Sequence, residues 1–145
     1  MSLCIDTGTE ICAVGIARDG ELLSLRESDE GRDHARKVGV FVDELLRETG
    51  IAPDDLDAVA VGKGPGSYTG LRIGVSFAKG LCHGLQKPLL AVGSLHALVE
   101  VAREDYGAGI PTVENLVDAR PSTTAHSPRT DGRPPALARV ARAHA

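Results

Sequence analysis

The stretch GKGPGSYTGLRIG, Gly62–Gly74, decides how the rest of the chain is interpreted, because it joins an apolar strand to a helix through glycines. A P-loop ends in GK followed by Ser or Thr, whereas Lys63 stands ahead of this loop. The Rossmann pattern GxGxxG fails from either possible start, since its third glycine is missing. The stretch therefore predicts a strand-to-helix turn in which Ser67 or Thr69 caps the helix, with an anion site at the helix N-terminus as the alternative.

Upstream of the glycine loop, three short apolar runs are separated by turn residues. LCID and EICAVGIA predict the first two strands, and Asp19-Gly20 is a two-residue hairpin signal that leads into ELLSLRES. HARKVGVFVDELLRETG is helical, since its apolar residues recur at helical spacing and Gly50 stands where a C-terminal glycine is preferred. Asp33 is the candidate N-cap of this helix.

Downstream of the loop, strands and helices alternate. DAVAVG predicts the strand before the loop, TGLRIGVSFAKGLCHGL the helix after it, and KPLLAVG the next strand. SLHALVEVAREDYG predicts a third helix with Ser94 as N-cap, and PTVENLVDAR a further strand. The order β-β-β-α-β-α-β-α predicts an α/β protein with a mixed sheet and helical crossovers.

Composition excludes several classes of protein. With 145 residues the chain fits one domain, and its formal charge of -4 offers no overall basic field for nucleic acid. Cys4, Cys12 and Cys82 are an odd set without ligand spacing, so they predict small buried residues in a reducing compartment. The N-terminus lacks the features of a signal peptide, and no apolar run reaches membrane-spanning length. We therefore expect a cytoplasmic protein.

Two further patterns bear on chemistry. IDTGTE places Asp6, Gly8 and Thr9 at the tip between two strands, where backbone amides could approach a phosphate; a turn chosen for its dihedral angles is the other interpretation. None of the five histidines forms an HExxH or HxxxH pair, so no metal site is predicted, and His34 and His96 are expected at helix starts or on the surface.

The segments IDTGTE, DHARKV, VAVGKGPGSYTGLRIGVSFAKGL and VDAR, in this order, closely resemble the bacterial TsaB (YeaZ) family. The resemblance covers residues 3–120. It implies a half-domain of the actin-like ATPase (ribonuclease H-like) fold with a mixed five-stranded sheet. In this sheet the third, second and first strands would be followed by the strand before the glycine loop and then the strand of residues 87–93.

The resemblance also implies that the chain is not an enzyme. The catalytic paralogue TsaD holds a metal with an HxxxH pair, and alignment places Ser94 and Leu98 on those two positions. We expect no catalytic residue, no metal and no cofactor, and we interpret the two loops as relics of phosphate binding. The relic residues are Asp6, Gly8, Thr9, Gly64, Gly66 and Ser67. The alternative function is an ATP-dependent phosphotransferase of the actin-like fold.

The family's partners follow from the same resemblance. They are TsaD, the ATPase TsaE through the complex, a second copy in a homodimer, and tRNA only via the complex; no membrane is expected. Two apolar helices and small residues spaced by four predict a partner surface; the alternative is that both apolar stripes belong to the core. The predicted partner surface comprises Val38, Phe41, Val42, Leu45, Gly70, Ile73, Gly74, Phe77, Ala78 and Leu81.

The chain changes character after Arg120. Residues 121–145 are rich in Pro, Ala and Arg and hold few aliphatic side chains, which predicts a disordered tail after a half-domain of residues 1–120. Relatives continue into a second half-domain at this point, so the sequence is expected to be a truncated or frameshifted member.

Overall fold

The computed structural model describes residues 1–29 and 33–106. The predicted order of elements is confirmed over this part of the chain. The predicted strand PTVENLVDAR and the predicted tail lie outside the described residues. The elements are β1 (Ser2–Asp6), β2 (Cys12–Arg18), β3 (Glu21–Ser28), α1 (His34–Thr49), a 3-10 turn (Pro53–Asp55), β4 (Ala58–Gly62), α2 (Tyr68–Leu85), β5 (Leu89–Val92) and α3 (Ser94–Tyr106).

The five strands form one mixed sheet in the order β3-β2-β1-β4-β5. β1, β2 and β3 pair antiparallel, whereas β4 runs parallel to both β1 and β5. Each parallel step is made through a helix, α1 between β3 and β4 and α2 between β4 and β5. The sheet order implied by the resemblance is therefore confirmed.

The core lies between the sheet and the helices α1 and α2. Leu3, Ile5 and Val59 on the strands are fully buried, and so are Val38 and Leu45 of α1. A smaller cluster of Cys4, Ala60 and Val92 forms separately from it. The apolar stripe of the first helix therefore faces the sheet.

The ends of the elements follow local sequence signals in most places. Gly50 ends α1 in the left-handed region with φ 67°, and its N–H bonds to the carbonyls of the last turn. Asp19 and Gly20 have φ angles of 50° and 81°, as the predicted hairpin turn requires.

Two predicted caps differ from the structure. Asp33 occupies the N-cap position of α1, yet its side chain makes no cap bond. Its carbonyl accepts from Lys37 N–H instead, so the backbone alone starts the helix. Ser94 is the first residue of α3, and Ala97 N–H bonds to Gly93 O, so the cap lies one residue earlier than predicted.

The three cysteines are buried and unpaired, as predicted. Burial raises the pKa of the Cys4 thiol to about 12 and that of Cys12 to about 11, so both stay protonated near neutral pH. Within the described residues, no helix is long and apolar enough to cross a membrane.

Candidate functional site

The two loops that the sequence proposed as phosphate relics lie in direct contact. Ser67 N–H donates to Gly8 O at 2.7 Å, and a Cβ placed on Gly66 would lie 2.5 Å from the same oxygen. Gly64, with φ 100°, accepts a hydrogen bond from Ser94 N–H at 2.9 Å, which ties the loop to the start of α3. The glycines therefore serve a close approach of backbone to backbone, which any larger residue at position 66 would prevent.

Several donors that could hold a phosphate are already used within the chain. Gly8 N–H donates to Asp6 Oδ1 at 3.0 Å, and Ile11 N–H donates to Thr9 Oγ1 at 3.2 Å. Gly70 N–H donates to Ser67 Oγ at 3.3 Å, which makes Ser67 the N-cap of α2, one of the two predicted caps. An anion would have to displace these bonds, which hold each loop in its own conformation.

Thr7 anchors the first turns of α2 to the sheet. Its side chain is 2% exposed, and its hydroxyl donates to Gly70 O at 2.7 Å. A Cβ placed on Gly70 would lie closer than 3.0 Å to Thr7 O, and one on Gly74 closer than 3.0 Å to Thr7 Oγ1. The two glycines let α2 pack directly on the end of β1.

This packing corrects part of the predicted partner surface. The small residues spaced by four were expected to receive a helix of a partner, but this chain's own sheet covers them. The first-helix stripe is likewise core, because the side of a helix that carries the largest aliphatic residues is the side the sheet takes. Six of the ten predicted residues are therefore buried within the chain: Val38, Val42, Leu45, Gly70, Gly74 and Ala78.

The other four predicted residues remain partly accessible. Phe41 and Leu81 are half-buried against the core, as is Phe77, whose ring lies 3.6 Å from the place of a Cβ on Gly39 of α1. Ile73 is half-buried and lies one turn before Phe77. Gly80 and Gly84 continue the same side of α2. Among the described residues, no atom beyond the adjacent helix backbone lies within 4 Å of a Cβ placed on either.

A pocket of about 330 Å³ opens where α1 and α2 begin. His34 lines it, and as the first residue of α1 it stands at the predicted helix start. It is 7% exposed, however, since its Nε2 pairs with Glu10 O at 3.0 Å. The pocket is also lined by Thr9, Ser67, Thr69 and Ile73. The sequence signal for this pocket is that Thr9 and Ser67 each belong to one of the two relic loops.

The side chains of the described residues form no cluster of three or more His, Cys, Asp or Glu that could hold a metal ion. Ser94 and Leu98 lie one turn apart on α3, where the resemblance aligned the metal ligands of TsaD. Leu98 is 37% exposed and carries no ligand atom.

The sheet order and the crossovers define the class: an α/β half-domain of the actin-like, ribonuclease H-like type. The family model described as TsaD, tRNA N6-adenosine threonylcarbamoyltransferase, matches residues 28–128. The chain is 36% identical over 118 residues to the tRNA threonylcarbamoyladenosine biosynthesis protein TsaB of Haemophilus influenzae, a match that covers 81% of this chain and 49% of that protein. It therefore belongs to the TsaB (YeaZ) family.

Two other comparisons agree. The structure of YeaZ from Pseudomonas aeruginosa superposes with a TM-score of 0.67 at 39% identity, covering 74% of this chain and 50% of that chain. A tRNA N6-adenosine threonylcarbamoyltransferase of Nitratidesulfovibrio vulgaris is 40% identical over 132 residues, which covers 79% of this chain and 37% of the relative. The chain spans about half the length of the TsaB relatives it matches.

Proposed function

We propose that this chain is a non-catalytic subunit that binds TsaD and supports the transfer of a threonylcarbamoyl group to adenosine in tRNA. Relatives named for tRNA threonylcarbamoyladenosine biosynthesis give the process, and the match to threonylcarbamoyltransferases shows that both kinds of protein contain this half-domain. Two copies of one half-domain can meet through the same face in a homodimer or in a pair of paralogues.

The observation that carries the proposal is one side of α2. Ile73, Phe77, Gly80 and Gly84 recur at i, i+4, i+7 and i+11, so they form a strip along one side of the helix. We call it the α2 side strip. Its apolar residues are only half-buried, and no described residue covers its two glycines, so another helix could approach the backbone closely.

The non-catalytic part of the proposal has two supports. The loop amides named above already have acceptors within the chain, which leaves them unavailable for a nucleotide phosphate. Leu98 stands on an aligned metal-ligand position and offers only hydrocarbon. In the complex, TsaD would supply the chemistry, TsaE would join through the complex, and the chain alone would form a homodimer in the cytoplasm.

The experiment is co-purification of the full chain with TsaD after co-expression. Gly80→Gln should abolish co-purification, because its side chain fills the space through which a partner helix approaches. The same change should raise the free energy of unfolding by about 0.5–1 kcal/mol, since Gly is a poor residue inside a helix. Loss of binding without loss of stability would thus locate the interface.

Leu23→Gln is the matched control. Leu23 is 44% exposed on β3, so the change removes apolar surface away from the strip and should leave co-purification unchanged. If Gly80→Gln binds TsaD normally, the α2 side strip is not the interface. If both variants lose binding, the loss is not specific to the α2 side strip and does not locate the interface there.

A further inference from the structure

A second line of residues follows a different side of α2. Tyr68, Arg72, Lys79 and His83 occupy positions that turn away from the buried glycine side, and all four are exposed, Tyr68 by 75%. From Arg72 to His83 the line extends about 16 Å at the rise of an α-helix. We call it the α2 outer line. The α2 side strip lies on another side of the helix, so the two surfaces can be occupied at once.

The segment of sequence that carries this line contains no acidic residue. Between Asp57 and Glu100 the sequence has no Asp or Glu, although the chain as a whole has a net charge of -4. On α1 the basic residue Arg47 pairs with Asp43. By contrast, within the described part of the chain no ion pair involves Arg72 or Lys79. Their charges are therefore available to an anionic partner.

The start of the line also carries a stacking element. The Arg72 guanidinium lies over the Tyr68 ring, 5.4 Å from its centroid, in a cation–π arrangement. Exposed aromatic rings and guanidinium planes are the surfaces on which unstacked RNA bases pack, while lysines and arginines follow the phosphates. An acidic protein would use the charges but would have no need of the stacked pair.

We propose that the α2 outer line is an RNA contact surface of this chain. Arg72 and Lys79 meet the phosphate backbone, and an unstacked base packs on the pair formed by Tyr68 and Arg72. The choice of tRNA as the RNA rests on the proposed function, whereas the contact itself rests on charge and stacking. The whole chain has a net charge of -4, yet this side of α2 carries a local excess of positive charge.

The test is fluorescence anisotropy of labelled, unmodified tRNA with the full chain, alone and bound to TsaD. The double variant Arg72→Glu/Lys79→Glu should weaken binding at least tenfold and lower the slope of log K against log salt by about 1.5, as expected for two lost phosphate contacts. Tyr68→Ala should weaken binding about fivefold or more and leave the salt slope unchanged.

The matched control is Arg18→Glu/Arg36→Glu, which makes the same change in net charge at exposed residues on β2 and α1. It should change the affinity by less than threefold. Equal tRNA affinity of the two double variants would overturn the proposal. So would loss of TsaD co-purification in Arg72→Glu/Lys79→Glu, since the line would then belong to a protein interface. The Gly80→Gln experiment tests the proposed function separately.

Discussion

Gly74 offers the sharpest test of how α2 is held. A methyl group at this position would lie closer than 3.0 Å to the Thr7 hydroxyl, which is buried and bonded to Gly70 O. Overpacking costs about 1–3 kcal/mol, and loss of a buried hydrogen bond costs about 1–3 kcal/mol. The better helix propensity of Ala returns about 1 kcal/mol. We therefore expect Gly74→Ala to lower the free energy of unfolding by about 3 kcal/mol.

The assay is urea unfolding followed by circular dichroism, with Gly80→Ala as the matched control. Gly80 lies in the same helix, but in the described part of the chain no neighbouring element comes within 4 Å of a Cβ placed there, so this variant should gain about 0.5–1 kcal/mol. If Gly74→Ala lowers the free energy of unfolding and Gly80→Ala raises it, the difference comes from the contact with Thr7, because both variants make the same substitution in the same helix. Equal stabilities of the two variants would refute the reasoning.

A double-mutant cycle tests whether Thr7 is the group that a methyl group at position 74 would contact. Thr7→Ala removes the hydroxyl and the γ-methyl, after which the nearest atom to a methyl on residue 74 is the Thr7 Cβ at 3.5 Å. In this background Gly74→Ala should cost less than about 1 kcal/mol, which means a coupling of about 2 kcal/mol. Additive effects would show that the strain comes from another neighbour.

Three further predictions concern the cap, the thiols and the loops. Gly50→Ala should cost about 1 kcal/mol in urea unfolding because φ is 67° there, and Gly50→Asn should cost less; equal stability of all three proteins would contradict this. Burial raises the pKa of the Cys4 thiol in the folded state from 9.0 to about 12. The contribution of this thiol to stability is therefore fully present below pH 9.0 and is lost as the pH rises toward about 12. The loss is at most about 1.4 kcal/mol per pH unit, so the unfolding free energy of Cys4→Ala should fall less steeply above pH 9 than that of the parent, and parallel curves would contradict the assignment. Calorimetry of the full chain with Mg-ATP should detect no micromolar binding, and a dissociation constant near 1 μM, about -8 kcal/mol, would favour the phosphotransferase alternative.

The fold was predictable because each element carries a strong local signal. Asp19-Gly20 determines a hairpin, Gly50 ends a helix, and the apolar run before Lys63 can only be a buried strand. Strands joined by helices then require parallel pairing, so the mixed sheet follows from the order of the elements. These signals act within a few residues, and a single sequence contains them.

The caps show where local signals fail. Asp33 is a favourable N-cap residue, yet a cap bond requires a side-chain rotamer as well as a residue type. From the sequence, His34 is predicted only to stand at a helix start. In the structure it is buried, and its ring nitrogen Nε2 donates a hydrogen bond to the carbonyl of Glu10, 24 positions earlier. Contacts of this range depend on how the loops fold, and nothing in the neighbouring residues encodes them.

The glycines of α2 illustrate a limit of periodicity. Gly70 and Gly74 repeat every fourth residue, and so do Gly80 and Gly84, and both pairs are equally suited to close packing. The pattern alone cannot decide which side meets the sheet. Thr7 determines which side does, because its hydroxyl and carbonyl leave no room for a Cβ against the first pair, whereas none of the residues that the structure describes crowds the second. A helix with two small-residue sides can pack on its own sheet with one and still offer the other to a second helix.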